Sequence, residues 1–392
     1  MPLAKKIKDL AKKYHQDVVK WRQHLHATPE LSFQEFETSK FIQQVLKNHH
    51  IPFSIMAKTG VVALINGTNA DKKCIALRGD IDALPIIEQN SFAYKSKNEG
   101  IMHACGHDFH TSSLLGTALI LNELKSEFEG TFKIIFQPSE EKIPSGAPAM
   151  IAEGVLENPK VDYIIGQHVS PELKMGTFGF KAGKFMASAD EIYMTIKGKG
   201  GHAARPHETI DSVLTASQII VNLQQVVSRK TNPFDTIVLS FGKIEGKGAT
   251  NVLPDEVKIE GTLRAMNETL RFEAHKWIKE IAQNTAKASG ASCDVNIVVG
   301  YPCVENNEEF THKLIFEANN YLGKENVIDI PQRMGAEDFG YYSQKVPSCF
   351  YRVGTGNENK KTTFGLHTSH FNVDDDALQH SIGLMAWLAI NS

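Results

Sequence analysis

Between residues 60 and 165 short apolar runs alternate with a stretch of helical length, and this alternation leaves few folds open. Val61 to Ile65, Cys74 to Leu77, Thr131 to Phe136 and Val161 to Ile165 read as buried strands. Between the second and third lies Leu114 to Leu124, apolar, helical in length and built from good helix formers. Such an order predicts an α/β domain with a mixed, largely parallel sheet and helices on both faces. Ahead of it, Leu10 to Lys47 is helical in pattern but interrupted at Thr28-Pro29, because the residue before a proline is pushed out of the helical region. The first residues, Met1 to Lys8, space their apolar side chains three or four apart and show neither a continuous apolar stretch nor a small-residue cleavage site. They read as an amphipathic first helix.

At about Ala187 the texture changes. Glu191 to Lys197 alternates as a half-exposed strand, followed by a turn-rich Gly198-Lys-Gly-Gly-His202. A helix over Asp211 to Arg229, strands at Thr236 to Phe241 and Glu256 to Leu263, a helix over Glu268 to Ala288 and a strand at Cys293 to Val299 follow. That β-α-β-β-α-β order is the ferredoxin-like α+β unit, a small antiparallel sheet covered by two helices. Residues 186–300 are therefore expected to form an inserted domain between the two parts, 1–185 and 301–392, of the first. The first domain resumes with a helix at Glu308 to Tyr321, a strand at Cys349 to Val353 and a helix at Asp376 to Ile390.

Charge narrows the partners. With 42 Lys and Arg against 45 Asp and Glu the net charge is -3, which lacks the basic footprint of a nucleic-acid or anionic-membrane binder. No apolar run approaches the roughly 18 residues needed to cross a bilayer. The five cysteines, Cys74, Cys105, Cys293, Cys303 and Cys349, form no C-x-x-C pair and are odd in number, so they read as thiols in a reducing compartment. A cytoplasmic protein with a small-molecule partner is expected.

The densest chemistry lies in His103-Ala-Cys105-Gly-His107-Asp-Phe-His110, which places a thiol, imidazoles and a carboxylate at one turn ahead of a helix. The plainer account makes His103 and His110 ordinary histidines and Cys105 an inert buried thiol. Phe136-Gln-Pro-Ser139-Glu140-Glu141 follows an apolar strand directly, where open α/β sheets hold their ligands. By itself it also reads as an acidic helix start capped by Ser139. His168 ends the buried apolar strand Val161-Asp-Tyr-Ile-Ile-Gly-Gln-His168, and Gly365-Leu-His367-Thr-Ser-His370 lies near the C-terminus. One histidine alone is usually a satisfied polar residue. Three strands of one sheet delivering Cys, His and Glu at the same end make convergence the better account.

A set of Cys105, His107, Glu141, His168 and His367 mixes sulfur, nitrogen and oxygen, which suits Zn, Mn, Co or Ni rather than Ca or Mg. Five ligands exceed one tetrahedral site. Two divalent ions per chain follow, bridged by Cys105 or a carboxylate, with a water held between them whose pKa falls towards about 7. Glu140, adjacent to a ligand yet spare, fits the base that moves the proton from water to the leaving amine.

In this order His103-Ala-Cys-Gly-His-Asp108, Phe136-Gln-Pro-Ser-Glu-Glu141, Gly200-Gly-His-Ala-Ala204, Gly335-Ala-Glu-Asp-Phe339 and Leu366-His367 resemble the two-metal amidohydrolase and carboxypeptidase family of aminoacylase. The branch is that of hippurate hydrolase and the auxin-conjugate hydrolases, and the likeness spans nearly the whole chain from Arg22-Gln-His-Leu-His-Ala-Thr-Pro-Glu30. The resemblance implies a catalytic domain and a smaller lid or dimerisation domain, with a homodimer through the latter. It assigns Cys105, His107, Glu141, His168 and His367 as metal ligands, Zn or Mn above all, and Glu140 as general base. His202 matches a lid histidine that helps hold the developing oxyanion. Asn251 and Arg264 match contacts to the substrate carboxylate, which an Arg fork suits physically. Asp80 and Asp82, in Arg78-Gly-Asp-Ile-Asp82, read as carboxylates that orient ligating histidines. Phe109 and Thr368-Ser-His370 depart from the usual family residues and are expected to reshape the pocket.

The activity implied is hydrolysis of the amide bond of N-acyl amino acids, releasing a free amino acid. The alternatives are a dipeptidase or carboxypeptidase on unacylated peptides, and a catalytically silent metal-binding protein of the same fold. A purely structural zinc site fits less well, because structural sites are closed four-ligand sets.

Overall fold

A computed structural model describes residues 2–392, and two long helices open the chain. In α1 (Leu3–Ala27) Ile7, Ala11, Tyr14, Val18 and Leu25 recur every three to seven residues and bury one stripe. Thr28 leaves helical geometry before Pro29, and α2 (Phe36–Asn48) begins afresh. The strands β1 (Phe53–Met56), β2 (Gly60–Asn66) and β3 (Cys74–Asp80) come next. Then follow α3 (His107–Glu123), β4 (Thr131–Gln137), α4 (Gly146–Ala152), β5 (Tyr163–Lys174) and β6 (Phe178–Phe180).

The middle of the chain supplies β7 (Asp190–Lys197), α5 (Ser212–Gln225), β8 (Ile237–Gly246), β9 (Glu256–Ala265), α6 (Glu268–Ala288) and β10 (Ser292–Val299). The chain returns through α7 (Glu308–Leu322), β11 (Val327–Asp329), β12 (Ser348–Gly356) and α8 (Ala377–Asn391). Two compact units result. The first comprises Met1–Gly183, Glu305–Pro331 and Tyr341–Ser392; the second comprises Lys184–Val304 and Gln332–Gly340. Residues 332–340, assigned by sequence to the returning part of the first domain, thus cluster with the second unit.

The first unit holds an eight-stranded sheet in the order β1-β2-β4-β3-β5-β12-β6-β11. Its centre, β4-β3-β5-β12, is parallel, while β1-β2-β4 and the β12-β6 pair are antiparallel. Successive strand residues face opposite sides, and β4 shows both faces covered. Phe132, Ile134 and Phe136 enter a core shared with α1, α3 and α8. Lys133 points the other way, its buried ammonium donating to the carbonyls of Val155, Glu157 and Pro159 after α4 at 2.7–2.8 Å. On the helical face α1, α3 and α8 meet at Gly116, where a Cβ would lie 2.8 Å from both Val18 and Ile382.

The second unit is the ferredoxin-like arrangement: an antiparallel sheet β8-β9-β7-β10 with α5 and α6 sharing its core. Along β7 alternate residues Asp190, Ile192, Met194 and Ile196 are buried. Asp211 caps α5 by accepting from Val213 and Leu214 N–H, and Asn267 caps α6 by accepting from Leu270 N–H. The helix expected over Asp211 to Arg229 ends at Gln225 and widens into a π-turn over Val226–Lys230. β1, β6 and β11 have no counterpart in the sequence reading, each being only three or four residues long. Among the described residues no helix is long and apolar enough to cross a membrane.

Candidate metal centre

The parallel centre of the large sheet brings the chemistry together. Register pairs Asp80 with Gln137 across β3 and β4, and Arg78 with Gly166 across β3 and β5, which puts Asp80 level with His168. His168 does not end its strand, as the apolar run suggested; β5 continues to Lys174 and pairs His168 with Arg352 of β12. The Cys105 motif likewise is only half loop, because α3 starts at His107. Gly106 makes that junction: its φ of +84° and a Cβ position 2.5 Å from Val169 Cγ2 admit only glycine.

Five of the expected residues converge. Cys105 Sγ lies 3.4 Å from His168 Nε2 and 3.3 Å from His367 Nε2. Glu141 Oε1 lies 3.4 Å from His367 Nε2 and 3.9 Å from His107 Nε2. Possible donor atoms of Cys105, His107 and His168 all fall within 4.8 Å of one another, and so do those of Cys105, Glu141 and His367. Cys105 belongs to both sets. Glu140 joins a third set with His107 and Glu141 rather than either of these. Cys105, His107 and His168 are buried, whereas the His367 side chain is 54% exposed, so the cluster opens to solvent on that side.

The surroundings fit metal ions. His107 Nε2 and Glu141 Oε1 are buried without a hydrogen-bond partner among the described residues, a costly state for polar atoms unless something else binds them. A thiol, three imidazoles and a carboxylate form a soft-to-borderline donor set, suited to a transition ion. Burial, reinforced by Glu141, Glu140 and Asp80, holds the Cys105 thiol well above its ordinary pKa. Burial opposes charge on His107, but Asp80, Asp82 and Glu141 outweigh it and lift the imidazole to about 10. Burial, with Arg352 and His110 acting the same way, keeps His168 neutral. Entering dications would therefore displace protons from Cys105 and His107, coupling affinity to pH.

Asp82 and Asp80 acquire definite tasks. Asp82 Oδ1 lies 3.2 Å from His107 Nδ1 and accepts Glu140 N–H at 3.0 Å, while Oδ2 accepts Glu141 N–H at 3.0 Å and the Ser32 hydroxyl at 2.7 Å. One carboxylate thus turns His107 Nε2 towards the cluster and holds the Glu140–Glu141 backbone. Asp80 meets His110 Nδ1 and Arg78 Nη1, each at 2.6 Å, and Arg78 Nε donates to Gln137. His110 Nε2 accepts Val169 N–H at 2.9 Å. With both nitrogens engaged, His110 braces the strand beside His168. His103 is buried outside the converging sets, and burial lowers its pKa to about 4.

Other expectations are corrected. Ser139 caps no helix: its φ is +50°, and the next helix, α4, begins only at Gly146. Phe109 is fully buried in the core and cannot reshape a pocket, whereas Thr368 and His370 are exposed. The other three candidates lie in the second unit. His202 is exposed on a two-residue strand, Gly201–His202, paired with Val252–Leu253. Ala203 N–H donates to the Asn251 carbonyl, which keeps Asn251 beside His202. Arg264 sits apart from them on β9, half-buried opposite Val238 of β8. The braces at Arg78, Gln137 and His110 went unread in the sequence, although Arg78-Gly-Asp-Ile-Asp82 at a strand end was their visible signal.

Comparison with known proteins agrees with this geometry. The chain is 40% identical to an N-acetylcysteine deacetylase of Bacillus subtilis over 97% of both chains. It is 43% identical to an N-acyl-L-amino acid amidohydrolase of Geobacillus stearothermophilus over 77% of this chain and 81% of that one. The solved structure of a dinuclear metal-binding M20 peptidase from Bacillus subtilis superimposes with a TM-score of 0.84 at 37% identity, covering 97% of this chain and 98% of the other. The family description Peptidase family M20/M25/M40 matches residues 76–391, so by sequence and fold the chain belongs to that family of hydrolases.

Proposed function

We propose that the protein hydrolyses the amide bond of N-acyl amino acids, with Glu140 as general base. The observation that carries this reading is the position of Glu140: its carboxylate lies beside His107 and Glu141, yet outside both donor sets that meet at Cys105. Cys105, His107 and His168 would hold one divalent ion, and Cys105, Glu141 and His367 a second. Bound there, Zn, Mn, Co or Ni would polarise the scissile carbonyl and lower the pKa of water to about 7.

The chain's own residues do the rest. Glu140 accepts a proton as water adds to the carbonyl carbon, then donates it to the nitrogen as the C–N bond breaks. Asp82 keeps that carboxylate in place through the Glu140 and Glu141 N–H groups. In the second unit, His202 and Asn251 are the proposed contacts to the oxyanion and the substrate carboxylate, with Arg264 offering a charged fork. The names of the two amidohydrolase relatives support an acylated amino acid over a free dipeptide.

The test is a panel of N-acetyl, N-benzoyl and indole-acetyl amino acids and dipeptides, offered to chelator-stripped protein reloaded with each metal. Preference for the acylated substrates is expected. Cleavage of dipeptides alone would replace this reading with the peptidase one. Glu140→Ala should keep both ions and lose about 10²- to 10⁴-fold in kcat; near-wild-type turnover would remove Glu140 from the mechanism.

A further inference from the structure

The segment between α1 and α2 contains a carboxylate whose bonding is unusual for its position. Glu35 occupies the N-cap of α2, yet its side chain caps nothing there. That task falls to Glu30, whose carboxylate accepts the N–H groups of Glu37 and Thr38 at 3.2 and 2.8 Å. Glu35 instead turns inward, fully buried. Its Oε1 accepts Ser139 N–H at 2.8 Å and Phe33 N–H at 2.9 Å, and its Oε2 accepts the Thr59 hydroxyl at 2.7 Å.

Both backbone donors belong to residues in the left-handed region, Ser139 at φ +50° and Phe33 at φ +60°. That conformation costs energy for a side chain bearing a Cβ and persists only where the surroundings fix it. At Ser139 it makes the corner between β4 and Glu140. Three successive N–H groups around that corner are claimed by two carboxylates: Ser139 by Glu35, Glu140 and Glu141 by Asp82. The scaffold is knitted further, since the Ser32 hydroxyl bonds Asp82 and Ala83 N–H donates to the Glu30 carbonyl.

We infer that Glu35 is a positioning residue for the hydrolytic reaction: by accepting the Ser139 N–H it fixes the corner that aims the Glu140 carboxylate. What the corner requires is an acceptor of this length. The Ser139 N–H needs only an acceptor oxygen there, not a charge, and burial with the neighbouring Asp82 pushes the Glu35 carboxyl up to about 7. The inference rests on the reading of Glu140 as the base.

Four variants decide it: Glu35→Gln, Glu35→Asp, Glu35→Ala and Thr59→Val, each loaded with metal and measured for metal content, kcat and KM. Glutamine keeps the acceptor at its full reach and, through its amide, can donate to Thr59. It should retain kcat within about threefold. Aspartate keeps the charge but falls one methylene short, and alanine removes the acceptor; both should lose about 10- to 100-fold in kcat, as expected for a misaimed reacting group. KM and two bound ions per chain should remain. Thr59→Val, which breaks only the Oε2 contact, should leave kcat within about twofold and so report the effect of disturbing this pocket without touching the corner.

Normal kcat in Glu35→Asp and Glu35→Ala would overturn the inference, as would a Glu35→Gln as slow as Glu35→Asp, or loss of metal in place of kcat. Should Glu35→Ala fail to fold, the order of glutamine against aspartate still decides. Glu140→Gln, assayed alongside, separates the two claims. An active Glu140→Gln defeats the assignment of the base, whereas an inactive one together with a normal Glu35→Asp defeats only the role of Glu35.

Discussion

His107 and Asp108 are consecutive residues of the first turn of α3, both fully buried, and they face opposite kinds of surroundings. His107 presents Nε2 to Cys105, His168 and Glu141, a cluster in which Cys105 Sγ meets His168 and His367 but His107 Nε2 and Glu141 Oε1 find no hydrogen-bond partner among the described residues. Asp108 enters an ion network: its Oδ2 takes Arg22 Nε at 2.7 Å and His26 Nδ1 at 2.8 Å. Arg22 goes on to Asn372 and Asp375, and His26 to Glu88. Burial opposes ionisation of Asp108, but Arg22 and His26 hold its carboxyl far below the usual range. The two sites contain similar residue types. Their difference teaches that charge pairing separates a structural cluster from one awaiting ions: Asp108 meets Arg22 and His26 within the chain, whereas His107 Nε2 and Glu141 Oε1 are left without a hydrogen-bond partner among the described residues.

The largest expected effect lies on the unsatisfied side. Because Cys105 is common to both donor sets, Cys105→Ala should bind fewer than two ions per chain and lose turnover by orders of magnitude. In chelator its stability should stay within about 1 kcal/mol of the parent, since the thiol's contacts there are only the long sulfur bonds to His168 and His367. Metal analysis and chelator-treated urea unfolding check both halves. Full metal occupancy would break the assignment of Cys105 and with it the contrast between the sites.

Asp108→Ala should do the reverse. Removing the fully buried carboxylate from this network leaves Arg22 with Asp375 and His26 with Glu88 only, and costs about 3–5 kcal/mol. The protein that does fold should still carry two ions. A small loss of stability, or a loss of metal at unchanged stability, would show that the two sites are one unit.

The sequence displayed this contrast unevenly. Cys105, His107, Glu141, His168 and His367 were legible because their types are chemically distinctive and three apolar strands aim them at one end. The two halves of the fold were legible for a related reason: four apolar runs alternating with helical stretches differ in texture from the amphipathic strands β7 to β10. What could not be read was partner choice. Asp108 and His107 look alike as members of one dense motif, and only the α1 residues Arg22 and His26, more than 80 positions away, tell them apart. Ser139 looked like a helix cap because Ser before Glu-Glu is a good cap by local rules, and its left-handed turn depends on Glu35, 104 residues earlier. Short strands such as β6 and β11 carry too few residues for a period to show.

Glu35 forms a third case, and pH sharpens it. Both its oxygens are bonded, but unlike Asp108 it has no ion-pair partner among the described residues. Burial comes first among the causes that lift its carboxyl to about 7, and Asp82 adds to it, while Thr59 and the N–H of Phe33 act against them. A carboxyl with a raised pKa binds more protons folded than unfolded between about pH 4.5 and 7, so its contribution to stability declines as pH rises through that window. At pH 8 the ionised Glu35 imposes its full burden; at pH 4.5 it imposes little. Glutamine carries no such burden at either pH. Relative to the parent, Glu35→Gln should therefore gain about 1–3 kcal/mol of stability between pH 4.5 and pH 8, read from urea midpoints of metal-free protein at both values. A difference that does not change with pH would mean that Glu35 shares its charge with a cationic partner, as Asp108 does. It would then belong with the charge-paired network rather than between the two sites.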